Sequence, residues 1–199
     1  MTRALVTAFD PFGGDSTNAS LEAVQRLPLN IAALAVTTVE LPTSFRRSLA
    51  VLERVIAKCQ PDIILCVGQA ADRTFLCIER VAINLQDARI ADNDGAIPVE
   101  TPVVAGGPAA YFSTLPVKAI VSAMQAARLP AAVSNSAGTF VCNHVFYGLM
   151  HHVVAQGRST RAGLMHVPHV RRHADDVASM AIEDIVRGIV ITLEVAAAR

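Results

Sequence analysis

The sequence predicts an α/β fold, a single-domain α/β/α sandwich in which helices cover both faces of a largely parallel, twisted sheet. Apolar runs typical of strands alternate along the chain with segments whose apolar residues have the period of a helix. Several of these runs, such as 63–67, are apolar throughout, as expected of parallel strands that are buried on both faces. The length of 199 residues suits one domain over 1–199 with a full core.

The first half of the chain is expected to supply most of the sheet. Ser20 is a suitable N-cap for the first helical segment, and Pro61 stops the second. The predicted elements are strands over 3–8, 32–41, 63–67 and 75–83 and helices over 21–27 and 43–58.

The segment 84–116 has poor periodicity and is rich in Asp, Asn, Gly and Pro. Long loops of this kind in compact domains are more often functional than idle. Regular patterns resume after it, and they predict a helix over 117–128, a strand over 131–134, a helix that begins near Cys142, a strand over 161–167 and a helix from about 174 to the C-terminus.

Composition excludes several classes of function. Hydrophobic residues make up 52% of the chain and charged residues 17%, which indicates a globular rather than a disordered protein. Because 17 Lys and Arg balance 17 Asp and Glu, no basic face for nucleic acid or an anionic membrane is expected. No apolar run is long enough for a signal peptide or a membrane span. The 4 cysteines contain no CxxC pair, so a reducing cytoplasm is the expected compartment.

The stretch 134–143 carries the strongest chemical signal, since a loop of small residues leads there into a helical segment. Cys142, Phe146 and Leu149 have helical spacing, which places Cys142 in the first turn of the helix. The positive end of a helix dipole favours a thiolate, the nucleophilic form of cysteine. A free cysteine is also commonly a small buried core residue, so a catalytic interpretation needs a base and an orienting group.

His166 is the best candidate for the base, because it ends an apolar strand whose side chains reach the rim of the site. Three other histidines lie on the helix of Cys142, on other faces or two turns away, and are expected at the surface: His144, His151 and His152. His166, His169 and His173 lack a cysteine or carboxylate at ligand spacing, so no metal is expected.

Glu79 is the candidate orienting group, because it stands inside the otherwise apolar strand 75–83. A carboxylate in such a place must be paired or functional. An ion pair with Arg80 or Arg73 is an equally good interpretation at this point. The acids of the following loop are expected to be solvated: Asp87, Asp92 and Asp94.

Four loops follow predicted strands and are expected to converge at the carboxyl edge of the sheet, namely 10–14, 68–72, 134–138 and 166–169. Gly13 and Gly14 are a weak indication of a phosphate loop, because neither GxGxxG nor a GK[ST] ending is present. Phe9 and Phe12 fit the wall of a small apolar pocket better than an anion site.

These motifs together resemble the pyroglutamyl peptidase I family of cysteine peptidases, and the resemblance covers nearly the whole chain. Residues 9–14 with Asn18 and Ser20 are similar to the N-terminal signature of that family. The family's remaining motifs match 79–84 with 87–93 around the glutamate, 134–143 around the cysteine and 166–168 around the histidine. Several motifs in the right order are more specific than any one of them.

The resemblance implies a single catalytic domain that hydrolyses the bond after an N-terminal pyroglutamyl residue without a cofactor. It implies Cys142 as nucleophile, His166 as general acid and base, and Glu79 as the third member of the triad. The residues that it implies for substrate binding are Phe9, Phe12, Gln69 and Phe140 around the pyroglutamyl ring and Arg89 near the reacting carbonyl. It also implies peptides with N-terminal pyroglutamate as partners and a homotetramer as the assembly.

The chain departs from the family pattern at three positions: Ala8 replaces a common glycine, Cys77 a hydroxyl residue and Gln86 an acid. None of them belongs to the triad, and Gln86 is expected to affect a loop hydrogen bond near Arg89. Two other functions remain open, a module that only binds blocked N-termini and a cysteine amidase or acyltransferase for another small amide.

Overall fold

The computed structural model describes residues 1–70, 73–157, 159–172 and 178–198. The strands of this part of the chain are β1 (Thr2–Phe9), β2 (Asn30–Ile31), β3 (Leu34–Leu41), β4 (Ile63–Gln69), β5 (Leu76–Glu79), β6 (Val81–Ile83), β7 (Ala110–Phe112), β8 (Ala131–Ser134), β9 (Arg161–Val167), β10 (His169–Val170) and β11 (Ser179–Met180). Its helices are α1 (Ala19–Val24), α2 (Ser48–Cys59), α3 (Val117–Ala126), α4 (Val141–Gln156) and α5 (Ile182–Ala197).

The main sheet of the described chain has the strand order β2-β3-β1-β4-β9-β5-β8. Strands β3, β1, β4 and β9 are parallel to one another, and β2 is antiparallel to β3. Strand β5 is antiparallel to β9, and β8 is parallel to β5. The predicted α/β class with a largely parallel sheet is therefore confirmed. The exceptions are the strands at the two edges, β2 on one side and β5 with β8 on the other, which run antiparallel to the central strands.

Helices cover both faces of this sheet, as predicted. Successive residues of β4 alternate between the two cores, so that Leu65 packs with α1, α3 and α5 and Cys66 packs with α2 and α4. The face that carries α2 and α4 contains the site described below.

The direction of β8 corrects one prediction. Because β5 and β8 run against β9, the carboxyl end of β8 does not lie at the edge where β1, β4 and β9 end. Three of the four predicted loops do follow those parallel strands: 10–14, 166–169 and, as far as it is described, 68–70 of the loop 68–72. The segment 134–138 follows β8 and leads into helix α4, so it is α4 rather than this loop that brings Cys142 to the site.

The predicted strand 75–83 is broken at Arg80, and its two halves belong to different sheets. Strand β5 pairs within the main sheet, whereas β6 pairs with β7. The backbone of Arg80 links both, since its N–H donates to the carbonyl of Ser134 at 2.8 Å and its carbonyl accepts from Ser113 at 2.9 Å.

Helix α2 begins at Ser48 rather than at Thr43. The preceding residues use their backbone groups elsewhere, because the Thr43 N–H donates to Asp10 Oδ1 at 2.6 Å and the Phe45 N–H donates to Asp92 Oδ2 at 2.8 Å. The C-terminal helix begins at Ile182, and its predicted start near 174 lies outside the described residues. No helix of the described chain is long and apolar enough to cross a membrane.

Candidate active site

Cys142 lies in the first turn of α4, as the helical spacing predicts. Two residues earlier, Phe140 has extended backbone angles (φ −91, ψ −164), and no side chain of the described residues caps the helix. The first-turn N–H groups of a helix have no intrahelical acceptor, so they and the helix dipole create a positive environment around the Cys142 thiol. The thiol is partly accessible.

The thiol meets His166 above Gly68. Strands β4 and β9 pair Gly68 with His166. A methyl group on Gly68 would lie 2.7 Å from Sγ of Cys142 and 3.3 Å from Nε2 of His166. The sulfur and the imidazole nitrogen therefore share the space that the missing side chain leaves open. Only glycine permits this approach.

Glu79 holds the other side of the imidazole ring. Its Oε1 lies 2.9 Å from Nδ1 of His166, and the side chains of His166 and Glu79 are 6% and 0% exposed. A carboxylate at Nδ1 favours the proton on that nitrogen and leaves Nε2 to accept a proton from the thiol. The alternative ion pair with Arg80 is not formed, because that guanidinium donates to Asn135 Oδ1 at 2.9 Å.

The electrostatics of the site suit a base. Burial on its own lowers the pKa of His166, but the hydrogen bond and charge of Cys142 and those of Glu79 outweigh it and raise the pKa to about 9. Burial raises the pKa of the neighbouring Cys66 thiol to about 12, with partial compensation from Thr7. Cys66 is thus a core thiol, whereas Cys142 has a proton acceptor beside it.

Aromatic rings form one wall next to Cys142. The ring of Phe140 lies 5.8 Å from that of Phe12 and 5.4 Å from that of Phe45, between centroids, and Phe9 is buried nearby in the same core. Three of these residues were expected from the resemblance. Phe45 was not expected at the site. Its apolar spacing predicted a position on the core face of a helix over 43–58, but α2 begins only at Ser48.

Two other predicted substrate residues have distinct surroundings. Gln69 is buried, and its Oε1 accepts the N–H of Ala19 at 2.7 Å, which anchors the start of α1. Within the described chain, its Nε2 makes only a long contact of 3.5 Å with Asp15. Arg89 is exposed on the segment 84–101.

The segment 84–101 is hydrogen-bonded to residues that border the site. The Asp87 N–H donates to Thr139 at 3.1 Å, and the amide of Asn93 donates to Asp10 at 3.0 Å. Asp92 was expected to be solvated but is only 5% exposed, because its carboxylate accepts the N–H groups of Phe45, Asp94 and Ala96.

Asp87 is exposed, as expected, and so is Glu100, whereas the side chain of Asp94 is 21% exposed and forms an ion pair with Arg47. The guanidinium of Arg47 donates to Asp94 and, with Ser44, lowers the pKa of that carboxyl to about 2.

Two positions that depart from the family pattern have clear surroundings. The side-chain amide of Gln86 donates to the carbonyl of Pro102 at 2.8 Å. Cys77 is buried and pairs with His166 across β5 and β9.

The prediction that His144 lies at the surface is wrong. Helix α4 is covered on nearly all sides, and His144 is 5% exposed, with its ring packed edge-on against Phe45 at 5.5 Å. Burial lowers the pKa of His144 to about 4, so the ring is neutral. His151 and His152 are partly exposed, and Nδ1 of His151 lies 2.9 Å from the hydroxyl of Tyr111.

Among the described residues, no three histidine, cysteine or acidic side chains are grouped so that they could hold a metal ion. His169 lies in β10, partly exposed, and His173 lies outside the described residues.

A thiol at a helix N-terminus, with an imidazole beside it and a buried carboxylate behind the imidazole, is the machinery of a cysteine hydrolase. A family model described as pyroglutamyl peptidase matches residues 2–199. The chain belongs to the pyroglutamyl peptidase family, which confirms the resemblance seen in its motifs.

Individual relatives agree with this family. The chain is 50% identical over 198 residues to pyrrolidone-carboxylate peptidase 1 of Ralstonia nicotianae, covering 98% of this chain and 92% of the relative. Its fold matches the crystal structure of pyroglutamyl peptidase I from Bacillus amyloliquefaciens with a TM-score of 0.94 at 45% identity, covering 100% and 96% of the two chains. The structure of the pyrrolidone carboxyl peptidase from Thermococcus litoralis matches with a TM-score of 0.96 at 32% identity, covering 100% of this chain and 94% of the other.

Proposed function

We propose that this chain is a cysteine exopeptidase that hydrolyses the bond after an N-terminal pyroglutamyl residue. The observation that carries the proposal is the meeting of Cys142 Sγ and His166 Nε2 above Gly68, with Glu79 2.9 Å from the far side of the ring. Membership of the pyroglutamyl peptidase family supports the choice of substrate. The whole chain, 1–199, acts as one catalytic domain.

In the proposed reaction His166 takes the proton of Cys142, and the thiolate attacks the pyroglutamyl carbonyl. The imidazolium then protonates the departing amine, which leaves a thioester on Cys142. Water attacks the thioester with His166 again as base, and free pyroglutamate is released. Glu79 keeps the ring in the tautomer that this sequence needs and stabilises its protonated form.

The oxyanion of each tetrahedral intermediate is stabilised by backbone N–H groups in the first turn of α4. Two features support this assignment, the absence of a side-chain cap from the described residues and the position of Cys142 in that turn. Arg89 lies on the segment that is bonded to Thr139, just before α4, and we propose that it reaches toward the reacting carbonyl.

The pyroglutamyl ring binds between apolar walls from Phe9, Phe12 and Phe140. We propose that Nε2 of Gln69 donates to the lactam carbonyl. This is supported by its hydrogen bonding in the described chain, because Oε1 is held by the Ala19 N–H while Nε2 makes only a contact of 3.5 Å. A neutral lactam suits a pocket of this kind, whereas an ammonium group would be buried without a partner.

We further propose that the protein acts in the cytoplasm as a homotetramer on peptides with N-terminal pyroglutamate. All 4 cysteines are free, which suits a reducing compartment. Several large apolar side chains are exposed and available for contacts between copies: Leu29, Ile97, Val99 and Phe112.

The test compares kcat/KM for pyroglutamyl, glutaminyl and prolyl amides of one fluorogenic amine. Glutaminyl amides carry an ammonium group and prolyl amides lack the lactam carbonyl, so both should be slower by at least about a thousandfold. Cys142→Ser and His166→Ala should each abolish turnover, because members of a triad act as a unit. Comparable rates for any two of the amides would favour a general amidase instead.

A further inference from the structure

The residue that follows the nucleophile, Asn143, has a fully buried side chain whose polar atoms all bind backbone of one other segment. It is 0% exposed. Its Oδ1 accepts the N–H of Ile83 at 3.0 Å, and its Nδ2 donates to the carbonyls of Ile83 and Leu85, both at 2.9 Å. Asn143 therefore ties the first turn of α4 to β6 and the residues just beyond it.

The bound segment begins at Glu79. From there the chain turns at Arg80, passes through β6 and reaches Asp87. Asp87 is bound to the loop before α4, because the hydroxyl of Thr139 donates to its carbonyl at 2.7 Å and its N–H donates to the carbonyl of Thr139 at 3.1 Å. Residues 79–87 thus contact the start of α4 on both sides of Cys142.

This arrangement joins the two halves of the site. Cys142 belongs to α4, whereas His166 is held by Glu79, which belongs to the segment 79–87. The backbone ladder of the main sheet positions His166 but does not by itself position α4, because a helix packs on the sheet face through its side chains and takes no part in the ladder. Side-chain bonds from Asn143 and Thr139 fix α4 against the same segment that orients His166.

We propose that Asn143, assisted by Thr139, is a positioning residue that sets the distance and angle between the Cys142 thiol and the His166 imidazole. The kinetic test of this inference rests on the proposed function, whereas a second test, the rate of alkylation of Cys142, does not. An amide is required at Asn143, because one acceptor and two donors meet one N–H and two carbonyls there. Aspartate would place a charge against those carbonyls, and a hydrocarbon would leave all three groups unpaired.

Asn143→Ala should lower kcat for a pyroglutamyl amide about a hundredfold, because small displacements of reacting groups have effects of that size. KM should change little, since the walls of the proposed pocket are untouched. The rate at which iodoacetamide alkylates Cys142 should fall in parallel, because a thiol without a proton acceptor is a poor nucleophile. Substrate plays no part in the alkylation measurement.

Thr139→Val is the second variant, in case Asn143→Ala does not fold. It keeps the shape of the side chain and removes one hydrogen bond, so kcat and the alkylation rate should each fall about fivefold. Thr160→Val is the matched control. Its hydroxyl lies just beyond the C-terminal end of α4 and donates to the carbonyl of Pro61 at 3.2 Å. This control should lose stability while both rates stay at the wild-type value.

Wild-type kcat and alkylation rates in both Asn143→Ala and Thr139→Val would overturn the inference. Equal losses in Thr160→Val would also overturn it, because the effect would then be a general loss of stability rather than a change at the start of α4. If wild-type protein failed to cleave pyroglutamyl amides, the proposed function would fall, and the alkylation rates of the variants would still decide the role of Asn143.

Discussion

Gly68 shows most directly how a single residue shapes the site. It lies in the strand pair that delivers His166, and the space of its missing side chain is filled by the Cys142 sulfur and the imidazole. A methyl carbon at Gly68 would lie 2.7 Å from Sγ, an approach that Cβ atoms in proteins essentially never make to another heavy atom. The pairing of thiol and base therefore depends on the absence of a side chain.

Gly68→Ala should lower kcat by at least about a hundredfold, because the thiol or the ring must move to admit the methyl group. The control is Gly157→Ala at the opposite end of α4, where φ is +60 and no described atom lies within 4 Å of the added carbon. That variant should cost about 1 kcal/mol of stability with unchanged kcat. Steady-state kinetics and thermal unfolding of both variants test this, and full activity in Gly68→Ala would contradict the geometry.

Glu79 is expected to shape the pH dependence of the reaction. Burial lowers the pKa of His166, and contacts with Cys142 and Glu79 raise it to about 9, so the protonated ring that donates to the leaving amine persists up to that pH. Glu79→Gln keeps the shape and removes the charge, which lowers the pKa of His166. The alkaline limb of the profile of kcat/KM should therefore move to lower pH. An unchanged limb would show that Glu79 does not tune the ring.

At the scale of elements, the two partly accessible thiols occupy opposite ends of helices. Cys142 is in the first turn of α4, and Cys59 is the last residue of α2. The partial charge at a helix start attracts a thiolate and that at a helix end repels it. The other two cysteines are buried in the sheet: Cys66 and Cys77.

Iodoacetamide should accordingly modify Cys142 well before Cys59, although both are accessible, and the two buried cysteines last. Peptide mapping by mass spectrometry after short exposures gives the four rates. The His166→Ala variant is a useful comparison, since it should slow Cys142 and leave Cys59 unaffected. Equal alkylation rates at Cys142 and Cys59 in the wild type would contradict the claim that Cys142 is an activated thiol and hence the nucleophile.

At the scale of the whole molecule, the proposed site is built from segments that lie far apart in the chain. The nucleophile comes from a helix, the base from a central strand and the carboxylate from a strand near one edge of the sheet, and the segment 84–101 is bonded beside them to Asp10 and Thr139. Asp92 shows how this segment is held, because its buried carboxylate accepts the backbone N–H of Phe45, whose ring belongs to the aromatic wall.

The proposed assembly is tested by light scattering. A homotetramer should have about four times the chain mass of 21.1 kDa. The exposed apolar side chains, including Phe112 at 70% exposure, are the expected contacts, and salt should weaken such contacts less than it weakens surface ion pairs. A mass equal to one chain at assay concentrations would contradict the proposal.

Much of this molecule follows from local sequence. The spacing of Cys142, Phe146 and Leu149 placed the thiol in the first turn of a helix, and α4 has it there. Apolar runs predicted β4 and β9, and the sheet contains both as parallel strands. Local patterns succeed in these cases because apolar periodicity acts within a few residues, whereas the predicted N-cap Ser20 is replaced by Asn18, which caps α1.

Contacts between distant segments decided the rest. The antiparallel direction of β5 and β8 and the break at Arg80 depend on pairing partners in distant parts of the chain, which no local pattern encodes. The burial of His144 and Asp92 depends in the same way on which segments cover them. The sequence by itself determined most strands of the main sheet, the five helices, the family and the candidate residues. Only the tertiary structure decided that Glu79 pairs with His166 rather than with Arg80, because that choice is made by strand register.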